Sequence, residues 1–451
     1  MSRLRGYFCV SITLIAILVC SQLVAAQKTI GINVVFNRNI NKTLLADLGQ
    51  HGNIHRVLYE IRGVYMLAPS SQLAVIRSLA YVAAANQDQP RNTGPVQTLA
   101  VTDFSDGRST WDMDAINVTP GPGSGTRSVA YDGTGVYVAI LDTGLLQNWP
   151  LYFPSQRIAS HYATTFAGGG AADAGATPQP PNKWEQDQNS HGTHVTSTIL
   201  GYSFFGTPIQ GVAPKATVIP VKVLNQNGRG WSSAIAQGIV YVTDLHRNQL
   251  AGSPMVVNMS LGGSGLDALE KAAIDYAIAH GVIICASAGN SGTNGMGYPG
   301  AYAPVISAAA SGFVEEFSTS NWWYALDVPD PNDPSSYFIA TFSSREKPGQ
   351  DLDVAAPGVW TLGPYQVNGQ QSYYYLSGTS MASPHVTGTV ALMLQKNSGL
   401  SASDAESIIE NTATKMPAGC NNVFDEGKVC WGSDATGHGL LNADLAIAAT
   451  P

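Results

Sequence analysis

Short apolar segments that alternate with helical patterns are the feature that most restricts how this chain can fold. Four segments have the length and apolar content of buried strands, and they lie at residues 136–141, 216–224, 255–261 and 282–288. Helical patterns occur between and after them, at residues 192–201, 231–246, 267–280, 379–395 and 402–412. Buried strands that bracket helices predict an α/β domain with a mainly parallel sheet and helices on both faces.

The part of the chain before this domain has a different pattern. Residues 27–88 predict a strand, a helix, a strand pair, a second helix and a last strand, which together make a small α+β unit. Residues 86–100 are rich in Gln, Asn, Pro and Gly and show no periodicity, so we interpret them as a linker or a cleavable junction. These patterns divide the sequence into residues 1–26, 27–103 and 104–451.

The first 26 residues have the features of a secretory signal peptide. Arg3 and Arg5 form a basic start, residues 12–19 form a short apolar core, and Val24-Ala25-Ala26 is a small-residue cleavage site. A membrane anchor is the alternative, although the apolar stretch is short for a span of about 20 residues. We therefore expect a secreted, extracellular protein that has no contact with the membrane after the signal is removed.

The distribution of charge argues against one class of partner and favours another. Charged residues make up only 12% of the chain, and the net charge is −8 without a cluster of Lys and Arg, so nucleic acid is not an expected partner. Basic residues predominate in residues 27–103 and acidic residues after residue 104. Opposite signs are what two docking segments would have. A chance difference in composition is the other interpretation.

The chain has five cysteines, two of which lie in the predicted signal peptide. Cys420 and Cys430 are ten residues apart in a polar stretch of a chain expected to be secreted, so we predict a disulfide between them. Cys285 lies in an apolar run and is expected to be a buried small side chain rather than a reactive thiol.

Two motifs supply a carboxylate and an imidazole at predicted element ends. Asp142 directly follows the apolar run at residues 136–141, and a structural Asp in a turn is its simpler interpretation. His191 and His194 lie three residues apart at the start of a predicted helix. They could bind a metal, but no Glu or third ligand follows nearby. The alternative is one catalytic imidazole, His191, with His194 in a structural role.

Two further motifs supply an amide and a hydroxyl. Asn290 follows the small residues Ala288 and Gly289 at the end of a predicted strand, where its amide could donate to an oxyanion or simply form a turn. Ser380 lies in Gly378-Thr379-Ser380-Met381-Ala382-Ser383-Pro384, at the first turn of a predicted apolar helix. Free N–H groups and the positive helix end favour an anionic intermediate there. A capping Ser is the alternative.

Together the four motifs resemble those of the subtilisin-like serine peptidases, the subtilase or S8 family. The resemblance covers residues 104–451, and its order of Asp, His and Ser is the order already known for subtilisin. Further segments agree, at residues 211–214, 221–224, 258–263, 353–358 and 437–442. The resemblance implies that Asp142, His191 and Ser380 form a catalytic triad, and that the Asn290 side chain and the Ser380 N–H form an oxyanion hole.

The same resemblance implies a fold and a substrate edge. The expected fold is a three-layer α/β subtilisin-like fold with a mainly parallel sheet. A small α+β ferredoxin-like propeptide precedes it, which inhibits the enzyme and assists its folding. An extended substrate would pair with two backbone segments, and a roomy apolar pocket would receive the residue before the scissile bond (P1). The residues implied for these contacts are Gly228, Gly230, Ser260, Leu261, Gly262, Ala288, Gly289 and Gly297.

The sequence departs from the family in several places. Residues 201–206 lack the Asn-rich calcium loop of many subtilisins, and Leu151 stands where an Asp ligand would be expected. A structural calcium ion therefore lacks its usual strong-site ligands, and metal ligands stay unassigned. Residues 322–340 form an insertion that contains Trp322, Trp323 and several Asp residues. It could be a lid, a cation site or a decorated surface loop, and we favour the loop.

The expected function is that of a secreted serine endopeptidase, processed from its own precursor, with polypeptide substrates and its own propeptide as partners. We expect a monomer that needs no cofactor for its chemistry. A peptide ligase or cyclase on the same fold is an alternative, although no cover that would exclude water is recognisable. The acid-acting sedolisins use Glu and Asp where this chain has His191 and Asn290. A catalytically inactive binding protein is the third alternative, and it would usually have lost a triad residue.

Overall fold

The computed structural model of this protein describes residues 28–94, 97–100, 110–119, 127–166, 182–315, 328–424 and 426–451, with the backbone only for residues 97–100. The predicted signal peptide, most of the Gly/Ala-rich loop after residue 166, and Trp322 and Trp323 of the insertion lie outside the described residues. None of the helices in the described ranges combines the length and the apolar character needed to cross a bilayer.

The elements fall into a small N-terminal unit and a larger domain. The strands are β1 (Thr29–Phe36), β2 (Asn53–Leu58), β3 (Gly63–Pro69), β4 (Val82–Gln87), β5 (Pro90–Asn92), β6 (Gln97–Ala100), β7 (Tyr137–Asp142), β8 (Thr164–Thr165), β9 (Tyr202–Phe204), β10 (Thr207–Ile209), β11 (Thr217–Lys222), β12 (Arg229–Trp231), β13 (Met255–Met259), β14 (Val282–Ser287), β15 (Ile306–Phe313), β16 (Tyr337–Ile339), β17 (Val354–Pro357), β18 (Thr361–Val367), β19 (Gln370–Ser377), β20 (Gly419–Val423) and β21 (Gly427–Trp431). The α-helices are α1 (Lys42–Leu48), α2 (Gln72–Ser78), α3 (Trp111–Ala115), α4 (His191–Leu200), α5 (Ser232–Asn248), α6 (Ala268–Ala279), α7 (Thr379–Lys396), α8 (Ala402–Thr412) and α9 (Ala443–Ala449).

The N-terminal unit is a four-stranded antiparallel sheet with strand order β2-β3-β1-β4, and α1 and α2 accompany it. Alternate residues of β1 are apolar, and Ile30, Ile32 and Val34 are buried in a core of their own. Such alternation is typical of a sheet that buries one face. The small α+β unit predicted before the α/β domain is therefore present.

The larger domain has a central sheet with strand order β16-β15-β14-β13-β7-β11-β8, and β17 also pairs with β15. All of its strand pairs are parallel except that of β15 with β16. The mainly parallel sheet predicted from the apolar segments is confirmed. Because parallel strands end at a common edge, the residues that follow β7, β13 and β14 are brought close together.

Helices cover both faces of this sheet, and β7 shows how the sequence allows it. Val138 and Ile140 point into a core shared with α4 and α7, whereas Ala139 and Leu141 point into a core shared with α5 and α6. A strand that is apolar at every position is the sequence signature of burial on two faces. The three-layer arrangement predicted from the sequence is thereby confirmed.

Two segments contain more regular structure than the sequence-based interpretation gave them. Residues 86–100, which we interpreted as a linker or a cleavable junction, contain the end of β4 together with β5 and β6, which pair with β12 and β19. Strands β5 and β6 are held by backbone pairing with the larger domain, so their sequences show no alternation of apolar and polar side chains. Residues 337–339 of the insertion form the edge strand β16, with Tyr337 buried, so this part belongs to the sheet and is not a surface loop.

The hairpin of β20 and β21 carries the predicted disulfide, because Cys420 and Cys430 face each other across the two strands and are bonded. Cys285 is a free thiol in β14 and is fully buried, and burial raises its pKa to about 12. We expect free-thiol counting on the denatured, unreduced mature protein to find one thiol, that of Cys285. A count of three thiols would contradict the bridge.

Candidate active site

Asp142 and His191 come together at the edge of the sheet. Asp142 is the last residue of β7, and His191 is the first residue of α4. His191 Nδ1 lies 2.9 Å and 3.0 Å from the two carboxylate oxygens of Asp142, and both side chains are buried. A carboxylate can only accept, so Nδ1 carries the proton of this bond. The opposite nitrogen, Nε2, is buried and has no hydrogen-bond partner among the described residues.

Ser380 is the second residue of α7, an 18-residue helix, and is 1% exposed. Its hydroxyl donates to the carbonyl oxygens of Thr93 and Ser260, at 3.2 Å each. In the described part of the chain, no hydrogen bond joins this hydroxyl to His191. Catalytic hydrogen bonds often form only once the substrate is in its reactive position. Ser260 also donates its hydroxyl to the Ser380 carbonyl at 2.7 Å, which ties the end of β13 to α7.

The orientation of the Asn290 amide is set by Thr379, the first residue of α7. The backbone N–H and the hydroxyl of Thr379 both donate to Asn290 Oδ1, at 2.9 Å and 2.8 Å. A Cβ placed on Gly94 would lie 3.1 Å from Asn290 Nδ2, so the donor end of the amide faces Gly94. The arrangement brings the side chain predicted for the oxyanion hole to the start of the Ser380 helix.

The chain's own residues 89–94 lie in the cleft between the two segments predicted to bind substrate. Asn92 exchanges two backbone hydrogen bonds with Gly262, at 3.1 Å and 3.0 Å, and the Thr93 N–H donates to the Gly228 carbonyl at 3.0 Å. Strand β5 pairs antiparallel with β12, so that Arg91 lies opposite Gly230. These contacts are those of an extended peptide that adds a strand to a sheet edge.

A cavity of about 450 Å³ adjoins Ser380, and the predicted pocket residues Gly289 and Gly297 line it together with Met296. The Gly297 N–H donates to the Ala288 carbonyl at 2.8 Å, which closes the loop around the cavity. Ala288 is buried, and Leu261 packs into the core shared with α5 and α6. Leu261 therefore contributes its backbone to this region, whereas its side chain belongs to the core.

Sequence reasoning missed residues that hold the site in place. Asp187 is buried and accepts from the backbone N–H of Ser190 at 2.7 Å and from the Thr193 hydroxyl at 3.2 Å, so it fixes the start of α4. Burial raises its pKa. Asn258 accepts from Ser383 and Thr387, at 2.9 Å each, and so ties β13 to α7. The position of Asn258 within an apolar strand could have indicated this role, because a buried amide needs hydrogen-bond partners.

His194, the second histidine of its motif, is buried and turned away from Asp142. Its Nε2 lies 3.1 Å from the backbone carbonyl of Thr361 in β18. Burial lowers its pKa to about 3, so the ring is neutral at physiological pH. This placement fits a structural role.

Metal ligands can be sought in two regions. Residues 201–206, which we expect to lack the usual calcium loop, overlap the hairpin of β9 and β10. Elsewhere in the described chain, ligand atoms of Asp351, Asp353 and Glu406 lie within 4.8 Å of one another and could hold a cation. Burial raises the pKa of Glu406 to about 7. A shared proton or a bound cation would reduce the repulsion between these carboxylates.

The sequence is similar to those of known proteins. The model of the subtilase family matches residues 133–428. Subtilisin DY of Bacillus licheniformis is 38% identical over 294 residues, which cover 64% of this chain and 88% of that protein. Thermitase of Thermoactinomyces vulgaris is 33% identical over 299 residues, which cover 66% and 88%.

The fold is similar to that of fervidolysin from Fervidobacterium pennivorans, a keratinolytic enzyme related to subtilisin. The TM-score is 0.67 at 24% identity, over 94% of this chain and 62% of that one. Subtilases need no cofactor for their chemistry. The family match spans more than half of the sequence and includes all four motifs, so the chain belongs to the subtilase family and is a subtilisin-like serine endopeptidase.

Proposed function

We propose that Asp142, His191 and Ser380 work as the catalytic triad of this endopeptidase and form an acyl-enzyme intermediate. The observation that carries the proposal is the buried pair of His191 and Asp142 at the sheet edge, which fixes the imidazole so that Nε2 is the proton-accepting nitrogen. In this mechanism the Ser380 hydroxyl rotates from the carbonyls of Thr93 and Ser260 towards this nitrogen as the scissile carbonyl reaches its reactive position.

In the first step, Ser380 Oγ attacks the carbonyl carbon of the scissile bond while His191 takes its proton. Asp142 stabilises the resulting imidazolium. The negative oxygen is held by the Asn290 amide and the backbone N–H of Ser380, at the positive end of α7. His191 then gives its proton to the leaving amine, and a water molecule hydrolyses the acyl-enzyme by the same steps in reverse.

Labelling by an organophosphorus or sulfonyl fluoride inhibitor tests this assignment. We expect casein hydrolysis to stop when one inhibitor group is bound to the peptide that contains Ser380. His191→Ala should prevent the labelling, because the hydroxyl loses its base. Inhibition with the label on another residue would contradict the triad.

We also propose that the chain is secreted and that residues 27–94 act as a propeptide, cut off by the enzyme itself after Gly94. Support comes from the cleft, which holds residues 89–94 as substrate would lie, with Gly94 beside the Asn290 amide. The register that pairs Asn92 with Gly262 places Gly94 opposite Ser260, next to the reacting hydroxyl. The proposed cut falls before the sequence-based boundary at residue 103.

The cavity beside Ser380 makes a prediction about substrates. Gly94 puts no side chain into its volume of about 450 Å³, and Gly289 and Gly297 contribute no side chain to its walls. Burying an aromatic side chain there is favourable by a few kcal/mol. We expect a peptide library to show preference for large apolar or aromatic residues at P1, whereas strict preference for Arg or Lys there would contradict this interpretation of the pocket.

Docking of the propeptide should depend on pH through Asp88. This buried carboxyl accepts from the backbone N–H of Ser233 and the hydroxyls of Ser232 and Ser233, at the start of α5. Burial and the nearby Asp267 carboxylate raise its pKa from 3.8 to about 6. The docked state therefore binds the proton more tightly than the free propeptide, and this stabilisation is lost as pH rises through about 6.

We expect the propeptide to leave the self-cut complex faster at pH 8 than at pH 4.5, as measured by gel filtration after a pH jump. Asp88→Asn removes the titrating group, so the ratio of the two release rates should fall. An unchanged ratio in this variant would assign the pH dependence to other groups.

A further inference from the structure

The side chain of Arg91 is inserted into the protein from the segment that occupies the cleft. Arg91 is 1% exposed and forms a buried ion pair with Glu270, which is wholly buried. The guanidinium Nε donates to the two carboxylate oxygens at 3.3 Å and 3.1 Å, and Nη2 adds a short contact to one of them. This is the forked geometry that favours arginine over other cations.

Two further N–H groups of the guanidinium also have partners. Nη1 donates to the Pro90 carbonyl at 3.0 Å, and Nη2 donates to the Gly265 carbonyl at 3.0 Å. A Cβ on Gly263 would lie 2.7 Å from Nη1, so a side chain there would obstruct the guanidinium. The site is therefore shaped for a planar cation as well as charged for one.

The strand register of the cleft segment shows which substrate residue would contact Glu270. Gly94 lies opposite Ser260, and Arg91 lies opposite Gly230 and three residues before Gly94. If Gly94 is the residue before the scissile bond, Arg91 occupies the subsite of the fourth residue (P4). Glu270 belongs to α6 of the larger domain, so it stays with the enzyme after the propeptide has left.

Glu270 has an electrostatic reason to select a cation. Burial raises the pKa of its carboxyl, and the Arg91 guanidinium opposes that shift. A neutral P4 side chain would leave a buried carboxylate without a counter-ion, which is costly. Asp267, the N-cap residue of α6, lies on the same side and adds negative charge.

We propose that Glu270 makes the mature enzyme selective for substrates with arginine at P4. The inference rests on the proposed function, because it takes Ser380 as the nucleophile and Gly94 as the acyl residue. It describes a second specificity site, separate from the cavity that receives P1.

The test compares matched peptides that share an aromatic P1 residue and differ only at P4, which is arginine, lysine or norleucine. We expect kcat/KM to be at least about tenfold higher for P4 arginine than for norleucine, with lysine between them, because the loss of one partner from a buried charge pair typically exceeds a factor of ten. In Glu270→Gln the arginine preference should fall to within about threefold, because the neutral amide no longer needs a cationic partner.

Asp275→Asn is the matched control, since Asp275 is an exposed acid on the same helix that pairs with Lys271 at the surface. It should keep the arginine preference. If Glu270→Gln disturbs folding of the precursor through the loss of the Arg91 pair, the double variant Arg91→Met and Glu270→Met replaces both charges with apolar groups. Its mature form differs from wild type only at residue 270.

Several outcomes would overturn the inference. Wild-type enzyme that cuts the peptides without preferring P4 arginine shows that the pair only holds the propeptide. An arginine preference that persists in Glu270→Gln shows that another residue binds the P4 side chain. An enzyme that folds and cuts none of the peptides, nor casein, contradicts the proposed function itself, which distinguishes the two failures.

Discussion

Ser380→Ala is expected to abolish peptidase activity and to leave the precursor uncut. For subtilisin, loss of the catalytic serine is known to lower kcat by about 10⁶-fold, because the histidine base and the oxyanion donors cannot act without the nucleophile. The fold should persist, since the change removes one hydroxyl whose two acceptors are backbone carbonyls. The measurement is the mass of the protein expressed where no other protease acts.

Ser407→Ala is a suitable control, because Ser407 lies exposed on α8, away from the cleft. This variant should be cut normally, and N-terminal sequencing of its product should begin at Pro95. A Ser380→Ala protein already trimmed to mature size would show that processing does not need Ser380. A mature chain that begins at another residue would refute the proposed cut after Gly94, and one that begins beyond Trp111 would also refute the sequence-based boundary.

Asn290→Ala is expected to lower kcat by about 10²–10³ with little change in KM. That range is the known effect of removing the corresponding donor from subtilisin. The reason in this chain is geometric, because Thr379 holds Oδ1 and so directs the amide nitrogen to the place where we propose that the oxyanion forms. An interaction made only in the transition state lowers kcat and kcat/KM equally.

Asn411→Ala provides the comparison, since its side chain bonds only to the helix carbonyl of Ser407 at the surface. The Asn290 variant should still be labelled by a serine-directed fluoride, although more slowly. A fall in kcat of less than about threefold would show that the Asn290 amide does not stabilise the oxyanion.

The sheet edge could be predicted because each motif is local in sequence. The apolar run before Asp142 and the small residues before Ser380 mark a strand end and a helix start, and parallel strands bring such ends together. The subtilase family and the three-layer fold were correctly predicted for this reason. The spacing of the triad atoms still required coordinates.

Contacts between distant residues were not predictable from sequence. Arg91 and Glu270 are 179 residues apart, and neither lies in a recognisable motif. The stretch that contains Arg91 was interpreted as a linker or a cleavable junction, because its strand is paired through backbone groups and needs no alternation of side chains. The contact of Asp88 with the start of α5 was not predicted either, because its partner Ser233 lies far away in the sequence.

The cleft strand and the N-terminal sheet belong to one chain, so together they form a bivalent ligand for the larger domain. While Gly94 is still joined to the following residue, the cleft segment is tethered at both ends and its effective concentration near the site is high. The proposed cut after Gly94 would remove one tether, whereas the hydrogen bonds of Asn92 and Thr93 lie before the cut and would be kept. Free enzyme should therefore appear slowly at first, then faster as released molecules digest the propeptides of others.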